Sequence, residues 1–192
     1  MIRLQRKILN SSEKRAKTET LILAALFLGM GVVLPSLTGS IKEIGDSLLP
    51  MHLVVMLCGA ICGWKYATCV GFVLPFFRSM LFSMPPIYPN AVWMSLELAT
   101  YGFVIGFLYS LRKEYRRSYL FLSLIISMLA GRVVWGVSKA ILLGVAGKPF
   151  GFEAFIVGGF LDAIPGILLQ LILVPTIVEI LERVRGKKKN EE

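Results

Sequence analysis

The sequence predicts an all-α integral membrane protein with six transmembrane helices and both termini in the cytoplasm. Apolar residues make up 56% of the 192 residues and charged residues only 17%, whereas soluble chains contain about 45 to 50% and about 25%. The mean hydropathy is +0.72. The charges are gathered in basic clusters between long apolar runs, a pattern that excludes an ordinary soluble domain and a nucleic-acid-binding surface.

Each predicted transmembrane helix is an apolar run of roughly the 20 residues that a membrane core requires. The six runs are Thr20–Leu37, Leu48–Gly63, Tyr66–Phe82, Ala91–Leu111, Tyr119–Val145 and Phe155–Glu182. The first is long for a secretory signal peptide and is expected to be retained. The third run contains Pro75, and the sixth contains Pro165 and Pro175. The fifth and sixth runs are long enough to tilt or kink. The predicted organisation is a basic tail (1–19), a six-helix membrane domain (20–182) and a second basic tail (183–192).

The distribution of Lys and Arg predicts the orientation. Sixteen lie in the two tails and in the second and fourth connections, whereas the opposite side carries only Lys42 and Lys148. Cationic connections face the cytoplasm. Both termini are therefore expected to be cytoplasmic, with an even number of spans in the plasma membrane.

Polar residues within the predicted spans gather in the outer half of the third to sixth helices. The candidate binding residues are Arg78, Asn90, Trp93, Glu97, Arg132, Trp135, Lys139 and Asp162. Spacings of three and four place the members from the fourth helix on one face, and those from the fifth helix on another. Ionisable residues in a membrane indicate function by default, so we expect an outward-facing polar chamber. Mutual pairing that merely holds the helices together is the alternative.

The charges inside the membrane favour an anionic ligand. Arg78, Arg132 and Lys139 outnumber Glu97 and Asp162 by one. A ligand carboxylate would complete this set, with Arg132 or Lys139 as its partner and the tryptophans against its apolar part.

Motifs for catalysis, ATP hydrolysis or a metal centre are missing from the sequence. There is no phosphate-binding loop and no second histidine for a metal site. We therefore expect no cofactor in this chain, and any use of ATP must occur in a partner protein.

Small residues on the first predicted helix mark a candidate partner surface. Ala25 and Gly29 lie four residues apart, which allows another helix to approach closely. The same helix has no ionisable residue between Thr20 and Leu37. We therefore expect it to face another membrane protein.

Several short segments, in this order and topology, resemble the substrate-binding S components of energy-coupling factor (ECF) vitamin transporters. They are residues 25–29 (ALFLG), 49–53 (LPMHL), 71–75 (GFVLP), 84–86 (MPP) and 97–102 (ELATYG). The resemblance covers about residues 18 to 182. The second, fourth and fifth of these segments are most similar to the branch of the family that includes pantothenate S components.

This resemblance implies a division of labour. The S component captures a vitamin from outside and docks on a transmembrane T component, which is attached to two cytoplasmic ATPases. Docking in the family uses a small-xxx-small motif on the first helix, which corresponds here to Ala25 and Gly29. Pantothenate is the ligand that the branch implies, and it carries a carboxylate; other members take folate, riboflavin, pyridoxine-type compounds or cobalamin.

Two other classes of function stay open at this point. A small intramembrane enzyme would use Glu97 or Asp162 as an acid or base and would show turnover without partners. A stand-alone channel or secondary carrier would show flux in liposomes without ATP, although no inverted repeat is visible.

Overall fold

The computed structural model describes the backbone of residues 2–38, 49–111 and 117–190, and the side chains of residues 14–37, 49–111 and 117–184. Within these ranges the protein is helical. The helices are α1 (Ile2–Thr38), α2 (Pro50–Cys62), α3 (Trp64–Phe82), α4 (Val92–Ser110), α5 (Arg117–Val145), α6 (Phe152–Ile156) and α7 (Ile164–Asn190). This confirms the all-α prediction.

Four segments of the described chain are long and apolar enough to cross a membrane. They are Lys14–Leu37, Ile87–Ser110, Arg117–Val145 and Phe152–Val184. Helix α2 is apolar but has 13 residues, which span about 20 Å of a hydrocarbon core about 30 Å thick. Helix α3 is not among the four; it carries Lys65 and Arg78. A multi-pass membrane protein is confirmed, and the count of six spans and the orientation stay predictions.

Helix α4 lies at the centre of the bundle and packs against α2, α3 and α5. Helix α3 approaches α4 very closely because glycines on both helices leave room for the backbones. A Cβ atom on Gly102 would lie 2.5 Å from the carbonyl oxygen of Ala67, and one on Gly71 would lie 2.5 Å from that of Leu98. The small residues of α3 and α4 therefore serve internal packing.

A single residue joins α2 to α3. Gly63 has a φ of 84°, a left-handed conformation that glycine adopts without the steric cost a side chain would add. The chain can thus reverse sharply between Cys62 and Trp64. At the other end of α2, Leu49 also has a positive φ, of 50°, and Pro50 occupies the first helical position, where its missing N–H is tolerated.

The last apolar segment is one candidate span, Phe152–Val184, with an irregular stretch inside it. Helix α6 passes into a wide π-helical turn at Val157–Leu161, and α7 begins at Ile164. Pro165 lies in the first turn of α7. Pro75 and Pro175 lie inside α3 and α7, as expected. Helix α1 extends back to Ile2, so the basic tail continues the first predicted span.

Candidate functional site

Three ionisable side chains from three helices meet in the interior of the bundle. Arg132 of α5 donates a hydrogen bond from Nη1 to Oε1 of Glu97 on α4 at 3.0 Å. Nε2 of His52, in the first turn of α2, lies 3.2 Å from the same oxygen. All three are buried. We call His52, Glu97 and Arg132 the ion-pair cluster. The pairing brings Glu97 of α4 and Arg132 of α5 into direct contact.

His52 is close to Glu97 without completing a hydrogen bond. Neither of its ring nitrogens, nor Nε of Arg132, has a hydrogen-bond partner among the described residues. The imidazole makes a T-shaped packing contact with the ring of Tyr101 instead, with 5.2 Å between the ring centroids. Native proteins rarely leave such buried atoms unsatisfied.

A second group surrounds the ammonium of Lys139. Its Nζ lies 4.5 Å from the ring centroid of Trp135, 5.2 Å from that of Phe150 and 5.4 Å from that of Trp93. We call these four residues the aromatic cluster. Each ring attracts the cation through its π-electrons. The aromatic cluster adjoins the ion-pair cluster, since the guanidinium carbon of Arg132 lies 6.0 Å from the Trp135 ring.

The wide turn at Val157–Leu161 packs against the side chain of Trp135. Cβ atoms placed on Gly158 and Gly159 would each lie 3.3 Å from the indole, so the ring rests directly on this glycine pair. Phe155 flanks the indole with 6.1 Å between centroids. The wide turn at Val157–Leu161 thus supplies a flat surface for an aromatic side chain.

A cavity of about 310 Å³ opens beside the ion-pair cluster. This volume lies at the lower end of the range for small-molecule pockets, about 300 to 1,000 Å³. Prolines and methionines form much of its wall, and the polar residues that line it are His52, Arg78 and Asn90. Met94 also lines the cavity and follows Trp93 on α4, so the cavity and the aromatic cluster share that helix.

Arg78 is anchored to the first helix. Its Nη1 donates to the carbonyl oxygen of Val32 at 2.8 Å and to Oγ of Ser36 at 3.2 Å. The Phe82 ring centroid lies 5.4 Å from its guanidinium carbon. Arg78 therefore ties α3 to α1 at the rim of the cavity, in addition to lining it.

Asp162 does not join these groups. It lies in the short connection between the wide turn and α7, and its side chain is exposed. No ion pair to Asp162 occurs within the described residues. The expectation that it shares the polar chamber assumed a regular sixth helix, whereas the π-helical turn at Val157–Leu161 shifts the helical register ahead of Asp162.

Ala25 and Gly29 lie on the outer surface of α1. Both are exposed, and a Cβ atom added to Gly29 would have no neighbour within 4 Å. Gly31, two residues on, faces inward, where a Cβ atom would lie 2.6 Å from the Leu74 side chain. The structure thus leaves the small-residue pair uncovered.

Sequence reasoning missed two members of the site. His52 stood apart from the polar stripes of α4 and α5, although a lone histidine opening an apolar segment is a signal in itself. Phe150 lies in the connection after α5, where no periodicity identifies a contact. Among the described residues, no group of His, Cys, Asp and Glu is arranged to hold a metal ion.

Comparison with known families decides the class of protein. The family model described as the substrate-specific component of ECF transporters matches residues 19–178. The chain belongs to this family. As an ECF S component, it is a substrate-binding part of a membrane transporter, and its family implies a small-molecule substrate and T-component and ATPase partners in general. This membership argues against the intramembrane enzyme.

Comparisons of this S component with curated proteins and with solved structures give no significant match. The substrate must therefore be argued from the residues of the site.

Proposed function

We propose that this S component captures a carboxylate-bearing vitamin, with pantothenate as the first candidate, and delivers it to a T component driven by two ATPases. The cavity and the aromatic cluster form its binding site. The basic clusters favour cytoplasmic termini and six spans, which would open the site to the outside.

The observation that carries this proposal is the position of Lys139. Glu97 already has Arg132 as its ion-pair partner, and Asp162 is exposed elsewhere. Lys139 has aromatic rings around its ammonium, and no ion pair to it occurs in the part of the chain that the structure describes. A ligand carboxylate would provide the missing anion through a charge-assisted hydrogen bond.

The aromatic rings account for the rest of the ligand. Trp93 and Trp135 are both buried, and with Phe150 they offer apolar surface on several sides of the ammonium. Aromatic side chains provide large contact areas in ligand pockets. A small molecule with one carboxylate and a compact apolar body fits this combination.

A competition experiment tests the substrate class. The purified chain is incubated with an equimolar mixture of pantothenate, folate, riboflavin, pyridoxine and cobalamin, and native mass spectrometry identifies the retained compound. We expect pantothenate. Retention of folate instead would keep the carboxylate class and reject pantothenate, whereas selective retention of a compound without a carboxylate would contradict the proposal.

A variant tests the role of Lys139. Lys139→Met removes the charge and keeps the apolar stem, and we expect the dissociation constant for pantothenate to rise at least tenfold, equivalent to about 1.4 kcal/mol. Panthenol, the neutral alcohol analogue, should bind both proteins equally weakly. Lys65→Met is the matched control, because Lys65 also lies over a tryptophan, Trp64, at 5.5 Å but on a different helix. Equal calorimetric affinities of Lys139→Met and wild type would contradict this role.

Helix α1 is the proposed docking surface for the T component. Of the four candidate spans, Lys14–Leu37 is the least buried, at 22%. Ala25 and Gly29 lie on its exposed side together with Leu26, Met30 and Val33. Small residues amid apolar ones allow another helix to approach closely.

A further inference from the structure

The chain's single histidine lines the cavity with its hydrogen-bonding atoms unused. His52 is 3% exposed, and both Nδ1 and Nε2 lack a hydrogen-bond partner among the described residues. The cavity beside it is large enough for a small molecule. An unsatisfied polar ring at the wall of such a cavity indicates a group that a bound molecule completes.

The neighbours of His52 explain why the protein itself does not complete it. Glu97 is bound by Arg132, and its contact with Nε2 falls outside hydrogen-bonding geometry. Tyr101 presents the edge of its ring. On α7, the buried Gln170 donates its amide to the carbonyl oxygen of Leu49 at 3.4 Å. The carboxylate of Glu97 and the amide of Gln170 are thus already engaged with other groups.

The backbone holds His52 in place. Its N–H donates to the carbonyl oxygen of Leu49 at 3.0 Å, and the same carbonyl receives the amide of Gln170. The backbone of His52 is therefore anchored at the first turn of α2, and Tyr101 of α4 packs against the imidazole. A preorganised group of this kind loses little freedom when a ligand binds.

We propose that His52 contacts the substrate and determines specificity by hydrogen bonding a neutral polar group, a hydroxyl or an amide. This assignment rests on the proposed substrate-binding function. A neutral imidazole has one donor and one acceptor, as hydroxyl and amide groups require. A charged ligand group is not needed here, because Arg132 already balances Glu97. His52 hydrogen bonds to the neutral part of the substrate, whereas Lys139 binds its anionic end.

Affinity measurements on variants test this assignment. The probe is the compound that wild type retains from the five-vitamin mixture. His52→Phe keeps a ring against Tyr101 and removes both hydrogen-bonding atoms, and we expect its dissociation constant to rise at least tenfold. His52→Gln restores a donor and an acceptor and should recover part of this loss. Met56→Leu, a volume-conserving change at a buried residue of the same helix that does not line the cavity, is the control and should change affinity less than threefold.

Nuclear magnetic resonance of the wild-type chain provides a readout that does not depend on any variant folding. With ¹⁵N-labelled histidine, only His52 contributes ring-nitrogen signals. We expect these signals to shift on addition of the retained compound and to stay unchanged with a vitamin that is not retained. Unmoved signals together with wild-type affinity in His52→Phe or His52→Gln would overturn the assignment and leave the substrate-binding function intact. Failure of wild type to retain any compound would overturn both.

Discussion

The two halves of α4 contribute to the protein in different ways. The first half presents Trp93 to the aromatic cluster and Glu97 to the ion-pair cluster, where charge and hydrogen bonding govern the contacts. The second half presents Gly102 and Gly106 to α3, where the backbones nearly touch. The stability of the first half depends on the pairing of its charges, and that of the second half depends on the absence of side chains at its glycines. Substitutions in the two halves should therefore destabilise the protein for different reasons.

The largest effect on stability is expected in the polar half. Arg132→Met leaves Glu97 buried without its ion-pair partner, and breaking a buried pair in this way costs about 3 to 5 kcal/mol. Unfolding in detergent micelles measures this loss. The double variant Glu97→Gln with Arg132→Met removes both charges and should recover most of it.

Arg183→Met is the matched control for this prediction. Arg183 also pairs with a glutamate, Glu179, but its side chain is 76% exposed, and exposed pairs contribute about 0 to 1 kcal/mol. Equal losses in Arg132→Met and Arg183→Met would mean that burial does not distinguish the two pairs.

A smaller effect is expected in the packed half. Gly102→Ala places a Cβ atom 2.5 Å from the carbonyl oxygen and 3.0 Å from the Cβ of Ala67. Overpacking of this kind costs about 1 to 3 kcal/mol. Gly144→Ala is the control, because a Cβ atom there meets nothing within 4 Å. If Gly102→Ala unfolds at the same denaturant concentration as Gly144→Ala, the close approach of α3 and α4 is not a constraint.

The smallest effect on stability is expected at Gly29, where the space is open. Gly29→Leu should change the free energy of unfolding by less than about 0.5 kcal/mol and leave vitamin binding intact, while abolishing copurification with the T component and the ATPases. Gly144→Leu, also in open space, should keep the assembly. An intact complex in Gly29→Leu would move the docking surface elsewhere.

Much of the fold was readable from the sequence because apolar runs map directly onto membrane helices. The polar stripes of α4 and α5 were also predicted correctly, since positions three or four apart share a helical face whatever surrounds it. Ion-pair partners were less accessible, because pairing depends on the relative heights of two helices. The pairing of Glu97 with Arg132 is of this kind.

The misplacement of Asp162 and the omission of His52 have specific causes. The π-helical turn at Val157–Leu161 shifts the helical register before Asp162. Nothing in the apolar periodicity of the sequence indicates this turn. His52 belongs to a helix that is otherwise apolar, so its role emerges only when α2 is seen against α4 and α5. A local change in helical geometry decided the position of Asp162, and the packing of distant helices decided that of His52.

The glycine pair beneath Trp135 has a consequence for how such a site diversifies. Because the indole rests on Gly158 and Gly159, an alanine at either position would place its Cβ atom 3.3 Å from the ring and push the indole away from the turn. Changes in this turn could therefore alter the accepted length of a ligand while every charged residue of the site stayed the same. The length of the accepted substrate and the binding of its charged group could then change independently.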